Sequence, residues 1–442
     1  MDQRALNREF LKYVFLNILG QIAYSCYTIA DTFFVSAKLG TNGLTALNLA
    51  YPMFCLMNGI GLLLGMGGGT RYTIYRSRGE EGKANAVFTH TVCLTMGTAA
   101  VFFLIGLFFS EPLVEWLGAD CTVFIPTHTY LQVMLLFAPA FLTNTLLQCF
   151  VRNDGSPAWT MAAMICGSLS NIVLDFVFIF SLDMGIFGAI LATGLAPVIS
   201  ILVMSPYLIR RKNGFHLVRT APSGRTARDI ASSGLPPFLT EVTSGIVMFL
   251  FNRIMLRLAG NTGVAAFGIV TVISLVVVAI YTGVAQGVQP LLSKYYGLQK
   301  GAAIKTIFRN ALITALTLSA VIYSIIYFGA DILAVVFNWE KDPQLQGYAV
   351  TGLKLYFTAC PFMGLNIVLA TYFISTDRTL PAHTISLLRG CIILIPMAFF
   401  LSYQFAMTGV WCACPATECT VAGIGALLYW KAHRAERKSF RI

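Results

Sequence analysis

The chain has 442 residues, of which 57% are hydrophobic and only 11% are charged, and its mean hydropathy is +0.74. Soluble globular domains carry about 25% charged residues, so this composition excludes a soluble enzyme, a nucleic-acid-binding protein and a disordered chain. A polytopic membrane protein remains, and at about 20 apolar residues for each spanning helix the length accommodates about a dozen helices.

Twelve apolar segments follow one another along the chain. The first contains Asp31 and is too long for a cleavable signal peptide, so we interpret it as the first transmembrane helix. The longest polar stretch falls near the middle and predicts a linker. We therefore expect an N-terminal six-helix lobe at 1–209, a cytoplasmic inter-lobe linker at 210–233, a C-terminal six-helix lobe at 234–430 and a basic cytoplasmic tail at 431–442. The apolar segments run near 10–36, 44–70, 86–109, 123–150, 157–181, 186–209, 234–257, 264–291, 306–328, 346–374, 381–403 and 408–430.

The basic residues give the net charge of +11, and their placement predicts the topology. With the N-terminus inside, 24 of the 30 Lys and Arg residues fall on the inner side of the membrane. Cytoplasmic loops of membrane proteins carry such an excess. We therefore expect a multi-pass protein of the inner (plasma) membrane with both termini cytoplasmic, in contact with the lipid bilayer and with no nucleic-acid partner.

The two halves of the sequence repeat each other. Gly40, Gly43 and Ala46 recur 220 residues later as Gly260, Gly263 and Ala266, and residues 157–193 match 381–417 at a shift of 224. Each half begins on the same side of the membrane, so the repeat is parallel. The pattern predicts an all-α fold of two pseudo-symmetric six-helix lobes, with a cleft between them that rocking of the lobes opens to alternate sides.

A polar stripe follows one face of the first helix. Asn17, Gln21, Tyr24, Thr28 and Asp31 are spaced by 4, 3, 4 and 3 residues, which is the spacing of one helix face. Such a face does not contact lipid. It lines either a packed polar seam or a water-filled cavity, and five polar groups favour the cavity.

A second carboxylate lies in the fifth helix. Asn171 and Asp175 are four residues apart and therefore share a face, and helix direction places Asp31, Asp175 and Thr193 at similar depth in the outer part of the bilayer. Two carboxylates in a low-dielectric pocket do not both ionise cheaply unless a cation lies between them. The group predicts a reversible H⁺ or Na⁺ site, and the alternative is a static hydrogen-bonded pair. The positions that correspond to the two aspartates in the second half are near Phe251 and Phe399, so the architecture does not require carboxylates there.

The seventh helix carries another polar stripe, formed by Glu241, Ser244, Met248 and Asn252. Glu241 contacts either a cationic substrate or a coupling ion, or else it caps a helix start after Pro236 and Pro237. We assign a possible pairing of Arg389 with Glu418 to structure. The sequence offers no catalytic cluster, no ATP-binding motif, no cofactor site and no metal site beyond Na⁺ at Asp31 and Asp175.

Several segments resemble the multidrug and toxic compound extrusion (MATE) transporters, in particular their bacterial multidrug exporters. The resemblance covers essentially the whole chain, and its main segments are ADTFFVSAKLG at 30–40, RYTIYRSRGEEGKANAVF at 71–88, NIVLDFVFIF at 171–180 and GLPPFLTEVTSGIVMFLFN at 234–252. It implies an efflux antiporter for bulky, often cationic drugs, with antibiotic resistance as a consequence. It implies H⁺ or Na⁺ coupling at Asp31, Asn171, Asp175 and Thr193.

Other functions remain as alternatives at this stage. A flippase for a lipid-linked saccharide belongs to the same superfamily, but it needs basic residues in the cavity, where the predicted spans offer mainly Arg389. A membrane-embedded enzyme lacks a catalytic cluster, and a passive channel does not explain a two-lobe repeat with midmembrane carboxylates. We therefore expect a monomeric secondary transporter for small organic molecules and no enzymatic activity.

Overall fold

The computed structural model describes residues 3–338 and 342–439, and this part of the chain is helical apart from turns and short loops. Nine helices or bent helix pairs in it are long and apolar enough to cross a membrane. A short helix, Ser110–Trp116, precedes the bent pair. The nine are Gln3–Ser77, Glu81–Phe108, Phe124–Leu136 with Ala138–Asn153, Pro157–Ser181, Gly185–Ile209, Gly224–Gly297, Gly301–Phe337, Pro343–Ser375, and the helix that runs from Thr379 through a π-helical turn at Leu388–Ile392 to Ser439.

Three of these helices are interrupted and contain two spans each. A continuous helix of 75 residues would be about 110 Å long, several times the thickness of a bilayer. The helical geometry breaks at Gly40, at Ala259 and Gly260, and at Ala406. Spans 1 and 2 therefore cover residues 3–39 and 41–77, spans 7 and 8 cover 224–258 and 261–297, and spans 11 and 12 cover 379–405 and 407–439. With the six other helices in chain order, the described residues form twelve spans.

Spans 1 and 2 are antiparallel, as contacts at one end of span 8 show. Glu9, near the start of span 1, forms an ion pair with Lys294. Gly297, one turn further along span 8, lies against Ile74 and Ser77 at the end of span 2. The start of one span and the end of the next therefore lie side by side, and the chain reverses at Gly40.

The predicted twelve-helix, two-lobe repeat is confirmed, and its glycines adopt matched conformations. Gly40 has φ 63° and ψ −152°, and Gly260 has φ 60° and ψ −150°. Residues with a side chain rarely reach this region. A Cβ added at Gly43 would lie 2.5 Å from Leu39 Cβ, and one at Gly263 would lie 2.9 Å from Ala259 Cβ, so the helix that follows each turn also needs glycine.

Close helix packing joins the lobes along spans 1 and 8 and along spans 2 and 7. A Cβ added at Gly283 would lie 2.6 Å from Ile18 Cα, and one at Gly287 would lie 2.7 Å from Val14 Cα. Gly67, which matches Gly287 at the repeat shift of 220, contacts Ile230 of span 7 in the same manner. These contacts lie in the half of the bundle that holds the described chain ends, so the lobes are joined at that side.

The segment between the lobes is shorter than the polar stretch at 210–233. Span 6 ends at Ile209 and span 7 begins at Gly224, where the hydroxyl of Ser223 accepts a hydrogen bond from the backbone N–H of Thr226 at 3.2 Å. Residues 224–233 are therefore helical. The apolar pattern marks only the lipid-embedded part of each helix, and the helices continue beyond it into polar sequence.

The outer surface of the bundle is apolar. On span 9, Ile325, Phe328 and Ile332 expose 64%, 82% and 72% of their surface. Soluble monomers rarely expose a run of large apolar side chains of this kind. It fits the hydrocarbon interior of a bilayer.

Candidate transport cavity and acidic site

The four residues predicted to bind a cation come together inside the first lobe. Asp31, Asn171, Asp175 and Thr193 are all buried, with Asn171 and Asp175 fully so. The side chains of Asp31 and Asp175 lie near each other. Two ionised carboxylates this close repel each other, so the pair favours a bound proton or cation.

Asn171 links the carboxyl pair to span 6. Its amide lies within hydrogen-bonding distance of the Thr193 hydroxyl, at 3.4 Å. With the amide turned over, it donates to Asp175 Oδ2 at 3.0 Å and accepts from the Thr193 backbone N–H at 3.3 Å. This flipped orientation gives more polar groups a hydrogen-bond partner. One oxygen of each carboxyl group, Oδ1, has no hydrogen-bond partner in the described structure, which leaves acceptors available for H⁺ or Na⁺.

Local helix geometry marks the position of Asp175. It is the last residue of the regular helix Pro157–Asp175, and a π-helical turn, Phe176–Ser181, follows directly. Such turns are rare and frequently occur at functional sites. Two phenols that the sequence analysis did not select, Tyr27 and Tyr130, also lie near both carboxyl groups. Tyr27 precedes Asp31 by one helical turn, so this spacing could have identified Tyr27 from the sequence.

A cavity lies between the two lobes, and we call it the central cavity. It holds about 130 Å³ of water-accessible space and opens to solvent. Gln21, Tyr24 and Glu241 line it, as the sequence predicts for cavity residues. The other lining residues are Tyr27, Phe54, Asn58, Leu62, Phe141, Asn144, Thr145, Gln148, Met164, Gly167, Ser168, Ala196, Pro197, Ser200, Thr282 and Gln286.

Glu241 is the acidic group of the central cavity. Span 7 places it against span 2, where the side chain of Asn58 lies beside it and Gly59 leaves room for its Cβ. No Lys or Arg lines the central cavity in the described part of the chain. The cavity therefore combines aromatic rings with one carboxyl group, which suits a cation better than an anion.

The remaining predicted cavity residues lie elsewhere. The hydroxyl of Thr28 donates to the Tyr24 carbonyl at 3.0 Å, and that of Ser244 donates to the Thr240 carbonyl at 2.8 Å. Asn17 is buried between the lobes, and Met248 and Asn252 are partly buried on span 7 away from the central cavity. The polar residues of spans 4, 5 and 8 that line the cavity were not selected from the sequence, although Asn144 and Gln148 share a helix face.

Arg389 and Glu418 form an ion pair in the second lobe, with 16% and 5% of their side chains exposed. Asn366 supports it, because its amide donates to Glu418 Oε2 at 2.7 Å and to the Glu418 carbonyl at 2.9 Å. The Arg389 guanidinium contacts the Glu418 carboxylate directly. Glu418 is thus committed to a partner, in contrast to the carboxyl pair of the first lobe.

Comparison with known proteins identifies the family. The MatE family model matches residues 17–177 and 236–400, so that the second matched segment begins 219 residues after the first, in agreement with the internal repeat. The chain belongs to this family, the MATE multidrug export transporters, and is not an enzyme. The resemblance seen in the sequence is thereby confirmed.

Similar proteins cover nearly the full length of the chain. The multidrug export protein MepA of Staphylococcus saprophyticus is 26% identical over 413 residues, which cover 93% of this chain and 90% of that protein. MepA of Staphylococcus aureus strain MSSA476 is 25% identical, with 89% and 86% covered. An outward-facing multidrug resistance MATE transporter of the MOP superfamily matches with a TM-score of 0.92 at 21% identity, covering 98% and 97% of the two chains. A MOP superfamily transporter of Pyrococcus furiosus matches with a TM-score of 0.89 at 22% identity, with 97% and 96% covered.

Proposed function

We propose that the protein is a secondary antiporter that exports bulky organic compounds, often cationic, in exchange for H⁺ or Na⁺. The observation that carries the proposal is the buried pair Asp31 and Asp175, which lies inside one lobe, beside a cavity that both lobes share. Charging both carboxyl groups without a cation is costly in this environment. The pair therefore binds its ion reversibly, and the ion bound there alters the lobe that forms half of the drug cavity.

The orientation of the protein supports export. The basic residues are concentrated at the ends of the spans where the described chain ends lie, which makes this side cytoplasmic by the positive-inside rule. The lobes are joined at that same side through Gly67, Gly283 and Gly287. The arrangement then corresponds to the state that opens outward, in which the drug leaves and the coupling ion enters. In bacteria, the site of action is the plasma membrane.

Reciprocal binding explains how the gradient drives export. If the ion and the drug prefer different conformations of the first lobe, each lowers the affinity for the other by the same factor. Ion loading from outside promotes drug release, and ion release inside restores drug binding. Rocking of the lobes exchanges the two states.

The chemistry of the central cavity favours cations and disfavours the flippase alternative. A flippase for an anionic headgroup needs basic groups in the cavity, but the described lining carries Glu241 and no Lys or Arg. Arg389, which is partly buried, is neutralised by Glu418. We therefore assign amphiphilic cations with aromatic rings as the main substrates.

Dye transport in inverted membrane vesicles tests the proposal. A fluorescent cationic dye is added outside, and a pH gradient or a Na⁺ gradient is imposed in separate experiments. We expect gradient-driven dye accumulation with one of the two ions, and its loss when the gradient is collapsed by an ionophore. Dye movement that follows its own concentration gradient under all conditions would contradict antiport.

A further inference from the structure

We propose that Arg152 is an electrostatic barrier that keeps the coupling cation from leaking through the closed cytoplasmic side of the transporter. This inference rests on the proposed function, because it concerns the state in which the cavity opens outward. Arg152 is 1% exposed and lies between two cavities. One is the central cavity. The other, which we call the vestibule, opens at the cytoplasmic ends of the spans and is lined by Glu9, Lys12, Tyr13, Thr73, Arg76, Ser77, Asn153, Asp154, Gly155, Pro290, Leu291, Lys294 and Leu298.

Two layers of side chains separate these cavities. In the upper layer, Arg152 Nη1 donates to Gln286 Oε1 at 2.6 Å and to Asn17 Oδ1 at 3.3 Å. Gln286 also accepts a hydrogen bond from Gln21 Nε2 at 3.0 Å, and both glutamines line the central cavity. The charge of Arg152 therefore lies directly below the floor of the cavity.

The lower layer faces the vestibule and crosses the same lobe boundary. Gln289 Nε2 donates to Thr70 Oγ1 at 2.8 Å and to Asn153 Oδ1 at 3.1 Å, and Thr73 donates to Asn153 Oδ1 at 2.8 Å. The amides and hydroxyls of both layers are neutral. Arg152 is the charged group among them.

Among the described residues, no carboxylate balances the charge of Arg152. Its Nη2 contacts Cys149 Sγ at 3.7 Å, and its Nε has no partner in the described structure. The nearby acids are committed elsewhere, since Asp154 pairs with Arg76 and Glu9 pairs with Lys294. A guanidinium buried without a counter-ion carries a large cost, so packing alone does not explain its presence.

The internal repeat shows that the fold does not require a charge at this position. At the repeat shift of 222 that relates Asn144 to Asn366, Arg152 corresponds to Ile374, which is also buried, at 4% exposure. An apolar side chain is therefore compatible with this place in span 4 or span 10. The charge is specific to the half that forms the floor of the cavity.

A buried positive charge in a narrow polar seam repels cations. Channels that conduct water use the same effect to exclude protons and other cations. H⁺ or Na⁺ that enters the outward-open cavity meets the weakly screened field of Arg152 before it reaches the vestibule. The ion is then available to Asp31 and Asp175 and does not pass directly to the cytoplasm, so the gradient is not dissipated.

A leak measurement in proteoliposomes tests this role without drug. Purified full-length protein is reconstituted with an entrapped pH-sensitive dye, and a potassium diffusion potential drives H⁺ inward. For Arg152→Gln we expect an H⁺ leak about tenfold or more above that of the unmodified protein. Arg152→Lys, which keeps the charge, and Cys149→Ala, which alters packing in the same layer, should keep the leak at the low level.

A second variant neutralises the charge without removing the side chain. Gln286→Glu places a carboxylate against Arg152 and should also raise the leak, and it is informative even if Arg152→Gln does not fold. Low leak in both Arg152→Gln and Gln286→Glu would overturn the proposal. An equally high leak in Cys149→Ala would assign the barrier to packing and also overturn it. Failure of gradient-driven dye export in the unmodified protein would instead refute antiport, and the leak measurement would be unaffected.

Discussion

Tyr24 and Tyr27 contact each other edge to face, with ring centroids 5.0 Å apart and an interplanar angle of 87°. Both line the central cavity, and Tyr27 also lies near the carboxyl groups of Asp31 and Asp175. Tyr27 therefore connects the acidic site directly with the central cavity. A change in protonation or ion occupancy at the carboxyl pair acts on Tyr27, which is part of the cavity wall, and through the ring contact on Tyr24.

Glu241→Gln should weaken export of cationic drugs by at least about tenfold while it leaves neutral drugs much less affected. The carboxylate attracts a cation through a weakly screened field, and the amide retains its shape and its contact with Asn58. Efflux rates for a matched pair of cationic and neutral dyes in the same vesicles provide the measurement. Equal loss for both dyes would mean that Glu241 acts in folding or in ion coupling.

Gly283→Ala should destabilise the protein by about 1–3 kcal/mol because the added methyl group overlaps the backbone of span 1. Gly268 offers a matched control in the same helix, since nothing lies within 4 Å of a Cβ added there. Gly268→Ala should be neutral or stabilising by up to about 1 kcal/mol. The thermal unfolding temperature in detergent should therefore fall for Gly283→Ala and stay level or rise for Gly268→Ala, and the same downward shift for both variants would refute close packing of spans 1 and 8.

Glu418→Leu should destabilise the second lobe by about 3–5 kcal/mol because it leaves the largely buried Arg389 without its partner. The double variant Glu418→Leu, Arg389→Met should recover much of this loss, since both charges are removed together. Thermal unfolding of the single and double variants measures the coupling. Additive losses would show that the two side chains do not stabilise each other.

Labelling with an impermeant thiol reagent tests the topology. Cys121 is exposed in the loop before span 4, on the side opposite the described chain ends, so intact cells should label it. In a Cys121→Ser background, Thr220→Cys lies in the exposed segment between the lobes and should react only after the membrane is opened. Labelling of Thr220→Cys in intact cells would reverse the assigned orientation.

The sequence predicted the parts of the molecule that depend on spacing along one helix. Asn171 and Asp175 share a face because they are four residues apart, and the paired glycines Gly40 and Gly260 identify the repeat. Contacts between lobes were not predictable in this way. Arg152 is one of the 24 basic residues that the sequence places on the inner side, and nothing in the sequence indicates that Gln286, 134 residues away, accepts its hydrogen bond.

The polar stripe of the seventh helix also shows what the sequence alone does not predict. Glu241, Ser244 and Met248 share a stripe in the sequence, but only Glu241 lines the central cavity. Span 7 contacts span 2 through Gly59, and this contact fixes which short part of the stripe faces the cavity. Helix periodicity determines which residues share a face, whereas the packing of the two lobes determines which part of that face lines the cavity.

Ion-driven dye export by Asp175→Asn and Asp31→Asn tests the central claim most directly. The amide is nearly isosteric and avoids a buried charge, so both variants should be expressed and folded, as monodisperse elution and unchanged thermal unfolding would verify. We expect each single variant to lose gradient-driven export, and the double variant to be no worse than either, because the two carboxyl groups act as a unit. A well-folded single variant that exports dye at the unmodified rate, with unchanged dependence on pH and Na⁺, would contradict the account.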